Sequence, residues 1–411
     1  MSTVIIGGGA AGCFAAVFSA RKGDNVILLE PNGRLGRKLS ITGKGRCNIT
    51  NNCELDTLMQ NVTKNPSFLY SAFSRFGTAD CMEFIESLGV PLKTERGNRV
   101  FPVSDKASDI VSALENEIKR LGVEIIWERA LDIAAENGRV VAVKTEKRLI
   151  PAKKVILATG GMSYKATGST GDGYRLARRL GHTVTELKPS LIPLETEEDC
   201  SAAAGITVKN AVLTLTDRAS GKRLFEQMGE MTFEEYGVGG ALVLSASTQI
   251  PRIEQGRYVL TIDFKPALDN KKLDLRLQRE IAADGKTELR KLMRRLLPEK
   301  LITPVLEQAE ADPLKRAAEV SSALRKRLVS TLKGYRLTVK AFRPLNEAIV
   351  TDGGVSVAEI YPSDMQSKLV EGLYFAGEII DVSGFTGGFN LQIAYATARA
   401  SGGSEAVKSN E

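Results

Sequence analysis

Apolar and polar positions at the start of the chain outline three elements. Val4 to Ile6 form an apolar run that predicts a short buried strand, and Phe14, Val17 and Phe18 then recur at helical spacing. "NVILLE", ending in Glu30, predicts a second strand, and "GGGAAG" joins the first strand to the helix. Farther on, Ile110, Leu114, Ile118 and Leu121 share one face of a helix expected over 104–121, with Ser104 as its cap. A run of strands follows to "VILATGG", with Asn137-Gly138 as a hairpin turn. Near the end, "LYFAGE" predicts a core strand running into a glycine turn. "FNLQIAYATARA" predicts a helix with Leu391, Ile393, Ala394 and Ala398 on its apolar face.

From about residue 190 the pattern changes to short β-rich runs and turns. Residues 271–333 are helical and strongly charged, with breaks at Asp284-Gly285, Pro298, Pro304 and Pro313. The expected architecture is α/β: a discontinuous Rossmann-like domain over 1–189 and 343–411. Its insert is a β-rich subdomain (190–270 and 334–342) that carries a small helical one (271–333).

Composition narrows the chemistry. The 411 residues hold 56 Lys and Arg against 49 Asp and Glu, a formal charge of +7, which spread over this length is weak support for a nucleic-acid partner. Five cysteines include no CxxC, and no signal peptide is read, so a reduced cytoplasmic protein is expected. A single histidine, His182, with those scattered cysteines argues against a metal site and against a Ser-His-Asp triad. No apolar run approaches the ~18 residues that span a bilayer.

The glycines point to a ligand. Gly7, Gly9 and Gly12 fit G-x-G-x-x-G between a strand and a helix, where Gly7 makes the turn, Gly9 lets backbone approach a pyrophosphate, and Gly12 lets helix and strand pack closely. The helix start at Ala10 and Ala11 offers N–H groups and a positive dipole end to phosphates. Glu30, 18 residues past Gly12, is placed to accept hydrogen bonds from both ribose hydroxyls of an adenosine. The following stretch "GRLGRKLSITGKGRCNITN" holds Arg34, Arg37, Lys38, Lys44 and Arg46 with no carboxylate. Lys44 is followed by Gly45, not by Ser or Thr, so an ATP loop is excluded, and the loop lacks the interleaved aromatics of a nucleic-acid patch. Its cations are therefore expected beside the dinucleotide pyrophosphate.

The carboxyl end selects a flavin. Gly377 and Glu378 make a turn, and Asp381 can hold ribityl hydroxyls. Gly387 and Gly388 open a helix whose first residues, Phe389, Asn390 and Leu391, can face the flavin ring, although a plain packing helix fits the same pattern. FAD is the expected cofactor, with NADH or NADPH as a candidate transient reductant.

Taken together, "GGGAAG", "GRKLSITGKGRCNITN", "RVFPVSDKASDIVSAL", "VILATGGMSY", "GSTGDGYRLARRLGH", "EAIVTDGGVS" and the carboxyl-terminal stretch resemble the two-dinucleotide-binding-domain flavoproteins of the glutathione-reductase type. Within them they resemble the bacterial BaiN/YhiN-like family, nearly end to end. The resemblance implies that Arg46, Cys47 and Asn48 approach the flavin and that the backbone near Ala130 touches adenine. It also implies that Thr159, Gly160 and Gly161 close over the cofactor, with a small-molecule substrate at the interface of the FAD and inserted domains. It departs from the family at Glu234-Glu235, where Thr-His is usual, at Gly239-Gly240-Ala241, where Ser-Gly-Pro is usual, and at Asp352, where a small residue is usual. Tyr236 remains as a candidate proton donor or as a core aromatic, and Cys47 as a redox thiol or a packed one. Enone reduction is the expected reaction, with amine oxidation, an RNA-associated flavoprotein and a flavin-binding regulator as alternatives. In "KTELRKLMRRLLPEK", Leu289, Leu292, Met293, Leu296 and Leu297 suit a buried stripe that leaves Arg290, Lys291 and Arg294 in solvent.

Overall fold

A computed structural model describes residues 2–403 and divides the chain into two compact units. One takes in the chain up to Pro189 and again from Ile349 onward; the other is Ser190–Ala348. The return crossing thus falls at Ile349, past the expected residue 343. Phe342 still belongs to the strand Tyr335–Phe342, and Arg343 is tied back to Glu195 at 2.9 Å and Glu347 at 2.8 Å.

The first unit is built on a sheet in which Glu124–Ile126, Val26–Leu29, Ser2–Ile6 and Leu149–Leu157 lie side by side and parallel. Ser2–Ile6 and Val26–Leu29 are buried along their length, and Val155–Leu157 is the buried end of the longer strand, as a parallel sheet covered on both faces requires. Leu149–Leu157 changes neighbours along its length. Leu149–Pro151 pair antiparallel with Ala142–Lys144, whereas Val155–Leu157 pair parallel with Leu373–Phe375. That second pairing seats the carboxyl-terminal segment in the same sheet as the amino-terminal strand. The Asn137-Gly138 hairpin forms as expected, with φ of 51° and 77°, the left-handed pair a two-residue turn needs.

Helix Ala10–Arg21 packs on helix Phe389–Gly402, where the rings of Phe14 and Tyr395 stack at 4.0 Å. A Cβ on Gly402 would stand 3.0 Å from Phe18 Cβ, so glycine lets the helices approach. Helix Phe389–Gly402 is buried on nearly every side, with Gln392, Tyr395 and Thr397 enclosed beside the apolar residues. The 104–121 helix is shorter than expected, Ala107–Arg120. Its N-cap is Lys106, and Ser104 accepts the Lys106 N–H at 3.3 Å, two residues too early to cap it.

The second unit closes six strands into a barrel, in the order Leu194–Thr196, Gly237–Gly239, Lys222–Glu234, Thr207–Asp217, Tyr258–Asp263 and Tyr335–Phe342. Helices Asn270–Ala283, Leu289–Met293, Glu299–Gln308 and Ser322–Lys333 belong to this same unit. Pro304 does not break the chain; it lies inside Glu299–Gln308 with its ring buried. It stands in the second turn, where a missing N–H forfeits one intrahelical bond. Leu289, Leu292, Met293, Leu296 and Leu297 are buried, and Arg290, Lys291 and Arg294 are exposed. Glu299 accepts from both Arg290, at 3.3 Å, and Arg294, at 2.5 Å.

Candidate functional site

The glycine turn divides its labour as its spacing suggests. Gly7 has φ of 107°, and a Cβ there would meet Ala158 O at 2.6 Å; one on Gly12 would lie 1.7 Å from Gly7 O. Both are excluded by the protein's own backbone. Gly9 differs, since a Cβ there would meet nothing within 4 Å. No side chain caps the helix that Gly9 opens, so the first N–H groups and the positive dipole end face that open side.

Glu30 is buried, and its carboxylate is more engaged than expected. Oε2 accepts the Gly8 N–H at 2.8 Å, and Oε1 accepts both the Asn32 N–H at 2.9 Å and Asn32 Nδ2 at 2.5 Å. With about four lone-pair positions on a carboxylate, room is left for one further donor, not for two ribose hydroxyls.

The cationic stretch is not the free loop its glycines suggest. Arg37–Gly45 forms a helix that breaks at Thr42, Gly43 and Lys44. Lys38 Nζ bonds Glu378 Oε2 and Ser163 Oγ, both at 2.7 Å, and Arg37 bonds Asn32 Oδ1 at 3.0 Å. Arg46 turns away to Asp105, at 2.6 Å, and to Glu95, with its guanidinium 4.2 Å over the Phe101 ring. Its guanidinium charge is answered by two carboxylates, 49 and 59 residues onward. Lys44 and Gly45 are exposed. Cys47 is a packed thiol. Burial pushes it up to about 12, so the thiolate needed for redox chemistry is scarce at neutral pH.

Asn48 Oδ1 and Thr159 Oγ1 are buried with no hydrogen-bond partner among the described residues, as are the Tyr395 hydroxyl and Asp381 Oδ1, the last with the Lys64 ammonium beside it. Buried polar atoms are almost always paired, so the two motif side chains, Asn48 and Thr159, each ask for a ligand group. The turn beside Thr159 is pinned by Thr351, whose Oγ1 accepts the N–H of Met162 at 2.7 Å and of Ser163 at 3.1 Å. Gly160 takes φ of 70°, and a Cβ on Gly161 would strike Thr351 Oγ1 at 2.5 Å. Ala130 starts the strand Ala130–Glu136 and is buried.

Toward the carboxyl end, Gly377 has φ of 77° and packs so closely that a Cβ would lie 2.8 Å from Ala11 Cβ. Glu378 gathers Lys38, the Thr351 N–H at 2.8 Å and Ser163 Oγ at 3.2 Å. Asp381 is buried, with Lys64 Nζ 2.7 Å from its Oδ1. Gly388, at φ of 102°, lies against the Thr50 carbonyl and opens helix Phe389–Gly402 without a side-chain cap. Asn390 serves this loop instead of facing outward: Oδ1 accepts the Gly384 N–H at 2.9 Å, and Nδ2 donates to the carbonyls of Gly384 at 2.8 Å and Phe385 at 3.2 Å. Gly387 receives Asn51 Nδ2 at 3.1 Å, Phe389 is buried, and Leu391 is half-buried.

Sequence reasoning missed Lys64 and Gln392. Gln392 Nε2 donates to the carbonyls of Phe76 and Gly77 at 3.0 Å, and its Oε1 accepts Thr50 Oγ1 at 2.7 Å. Lys64 sits in no quoted motif, and Gln392 lies within the carboxyl-terminal helix, where its being a buried amide was not legible.

In the second unit, Tyr236 is half-buried under Arg343, whose guanidinium carbon is 4.2 Å from the ring centroid. Burial, with Glu234 nearby, raises the phenol above its ordinary range, so it is protonated at neutral pH. His182 takes no part in the site. It is buried between Glu359, 3.1 Å from Nδ1, and Ser367, 2.8 Å from Nε2. Among the described residues, no group of three His, Cys, Asp or Glu side chains could hold a metal, and no helix is long and apolar enough to cross a membrane.

Comparison with known proteins shows the family. The HI0933-like protein Rossmann domain matches residues 1–404. A 3-dehydro-bile acid delta(4,6)-reductase of Clostridium scindens is 33% identical over 403 residues, covering 97% of each chain. A ribosomal RNA dihydrouridine synthase of Haemophilus influenzae is 30% identical over 410 residues, covering 97% of this chain and 96% of that one. Among solved structures, the fold resembles 3-ketosteroid delta1-dehydrogenase from Sterolibacterium denitrificans, with a TM-score of 0.53 at 12% identity and 98% of each chain covered.

Proposed function

The chain belongs to the HI0933-like Rossmann family and is an FAD-dependent oxidoreductase; from that premise we propose that it saturates a carbon–carbon double bond conjugated to a carbonyl in a small organic substrate. The observation that carries this reading is end-to-end likeness to a relative named as a delta(4,6)-reductase. The second relative's name describes compatible chemistry. Dihydrouridine is uridine whose ring double bond, conjugated to a carbonyl, has been saturated.

The residues present fit FAD. The open side of Gly9, the uncapped helix it starts, and the unpartnered Asn48 Oδ1 and Thr159 Oγ1 are what a dinucleotide would fill. The N–H groups of Ala10 and Ala11 would take the pyrophosphate, Glu30 one adenosine-ribose hydroxyl, Asp381 the ribityl chain, and the start of helix Phe389–Gly402 the ring. When bound, FAD supplies hydride transfer to the β-carbon of the substrate. The protein must then deliver a proton to the α-carbon. Tyr236 is our candidate donor, being protonated at neutral pH, and an unchanged turnover number in Tyr236→Phe removes it from that role.

The small-molecule reading stands ahead of an RNA substrate because the most basic segment is already answered by carboxylates, with Arg290 and Arg294 on Glu299. RNA remains the second reading, favoured by the synthase-named relative. The deciding experiment loads the protein with FAD, reduces it anaerobically with NADH, NADPH or dithionite, and adds conjugated enones or uridine-containing RNA. Flavin reoxidation with a product two hydrogens heavier is expected with enones. Reoxidation by RNA alone transfers the assignment to the second reading. Reoxidation by neither overturns the proposed reaction.

A further inference from the structure

Among the described residues, Lys64 is the one cation placed on Asp381, the residue assigned above to the ribityl chain. It ends the strand Val62–Lys64, which pairs antiparallel with Ser383–Gly384 so that Lys64 stands opposite Ser383. Its ammonium lies 2.7 Å from Asp381 Oδ1 and 3.5 Å from Asp352 Oδ2. The surroundings hold this geometry firmly. Thr63 Oγ1 donates to the Ser383 carbonyl at 3.1 Å, Asn65 Nδ2 donates to the Asp381 carbonyl at 2.7 Å, and Ser383 Oγ donates to Asp352 Oδ1 at 3.1 Å. Asp381 is nearly enclosed, while Lys64 and Asp352 keep about a third of their side-chain surface exposed, at 32% and 29%. Burial alone would push the ammonium down, but the two carboxylates together hold it above its ordinary range. The phenol of Tyr174 is the other titratable group that senses both Asp381 and Asp352, and Glu378 also faces it.

One ammonium thus faces two carboxylates, and the cluster keeps a net negative charge. An enclosed carboxylate without a counter-charge takes up a proton and loses its strength as an acceptor. We propose that Lys64 is a positioning residue for the flavin, holding the Asp381 carboxylate in place, and that Asp352, by sharing Lys64, lowers the reduction potential of the bound cofactor. The inference rests on the FAD assignment. It names which of this chain's side chains set the affinity and the electronics there.

The test compares wild type with Lys64→Met, Lys64→Arg and Asp352→Asn. It reads the FAD dissociation constant by fluorescence quenching, the visible spectrum of the bound flavin, and its midpoint potential. Lys64→Met is expected to weaken FAD by about tenfold or more, because it strands a buried carboxylate, and to lower the potential of what binds. Lys64→Arg is expected to restore most of the affinity. Asp352→Asn is expected to raise the potential, since one negative charge fewer favours the electron-richer reduced form. An FAD affinity, spectrum and potential in Lys64→Met equal to those of wild type overturn the proposal and leave the function untouched. If Lys64→Met does not fold, Asp352→Asn decides, and an unchanged potential overturns it. A wild-type protein that takes up no FAD sinks both this inference and the function beneath it.

Discussion

Lys38 and Glu378 meet across 340 residues of chain, with Nζ 2.7 Å from Oε2. One belongs to the cationic helix after the second strand and the other to the turn after the last strand of the parallel sheet. Their ion pair joins the stretch expected beside the cofactor's pyrophosphate to the stretch expected beside its ribityl chain and flavin ring. Glu378 also holds the Thr351 N–H and Ser163 Oγ, so three separate segments converge on one carboxylate.

Removing one partner should therefore cost more than a surface pair would. Lys38→Met leaves the part-buried Glu378 without its cation, and a loss of about 1–3 kcal/mol is expected. Urea unfolding of Lys38→Met, Glu378→Gln and the double variant measures it. A double variant no better than the sum of the singles shows that the pair is uncoupled.

Gly9 and Gly12 should respond in opposite ways to alanine. At Gly12 the new Cβ lies 1.7 Å from the Gly7 carbonyl, so the variant must shift the strand–helix junction and lose several kcal/mol or fail to fold. At Gly9 the Cβ meets no protein atom within 4 Å, so Gly9→Ala should keep the wild-type melting temperature within a few degrees and lose FAD affinity. Melting curves with and without FAD separate the two effects. Equal FAD affinity in Gly9→Ala and wild type contradicts the placement of the pyrophosphate.

His182 makes the fold sensitive to mild acid. Burial lowers its pKa below the ordinary 6.5, even though Glu359 pulls the other way. The unfolded chain then binds the proton more readily than the native one. This histidine's contribution is fully present above about 6.5 and is lost as pH falls through the lowered native value. Denaturant midpoints between pH 8 and pH 5 should fall more steeply in wild type than in His182→Gln, and parallel slopes would show that another group carries the acid sensitivity.

Cysteine reactivity should be confined to one residue. Cys13, Cys47, Cys81 and Cys200 are buried, and Cys53 is the half-exposed member of the five. Alkylation of the native protein at pH 8, read by peptide mass spectrometry, should mark Cys53 and leave Cys47 unmarked. Rapid modification of Cys47 restores the redox-thiol reading set aside above.

Local signals carried much of this structure. The strand–glycine–helix–strand opening, the Asn-Gly hairpin and the buried leucines of the basic segment were legible because each is a short-range pattern with one steric cause. The partners of charged groups were not. Arg46 looked free because Glu95 and Asp105 lie 49 and 59 residues away, in elements that carry no mark of the meeting. Lys64 was invisible for the same reason, since Asp352 and Asp381 reach it only once the sheet has formed. Glu30 was read for its ligand, and the sequence could not reveal that Gly8 and Asn32 would claim most of its lone pairs. Closure of the barrel also escaped, because alternation along each strand says nothing about which edge finds which. Pro304 shows a local rule overridden by packing: it sits in the second turn of Glu299–Gln308 with its ring buried, at the cost of one intrahelical bond.

The pairing of Leu373–Phe375 with Val155–Leu157, and of helix Phe389–Gly402 with Ala10–Arg21, also bears on biosynthesis. A ribosome releases the amino-terminal strand and its apolar helix well before their partners, which emerge only after the whole barrel unit. In the interval Phe14 and Phe18 lack the ring and backbone they finally rest against. The barrel unit, whose strands are all encoded between Ser190 and Ala348, can finish while that surface still waits. The newborn chain should therefore depend on a holding chaperone until its final helix is made, and a premature stop before Phe389 should yield an aggregate, not a weakened enzyme.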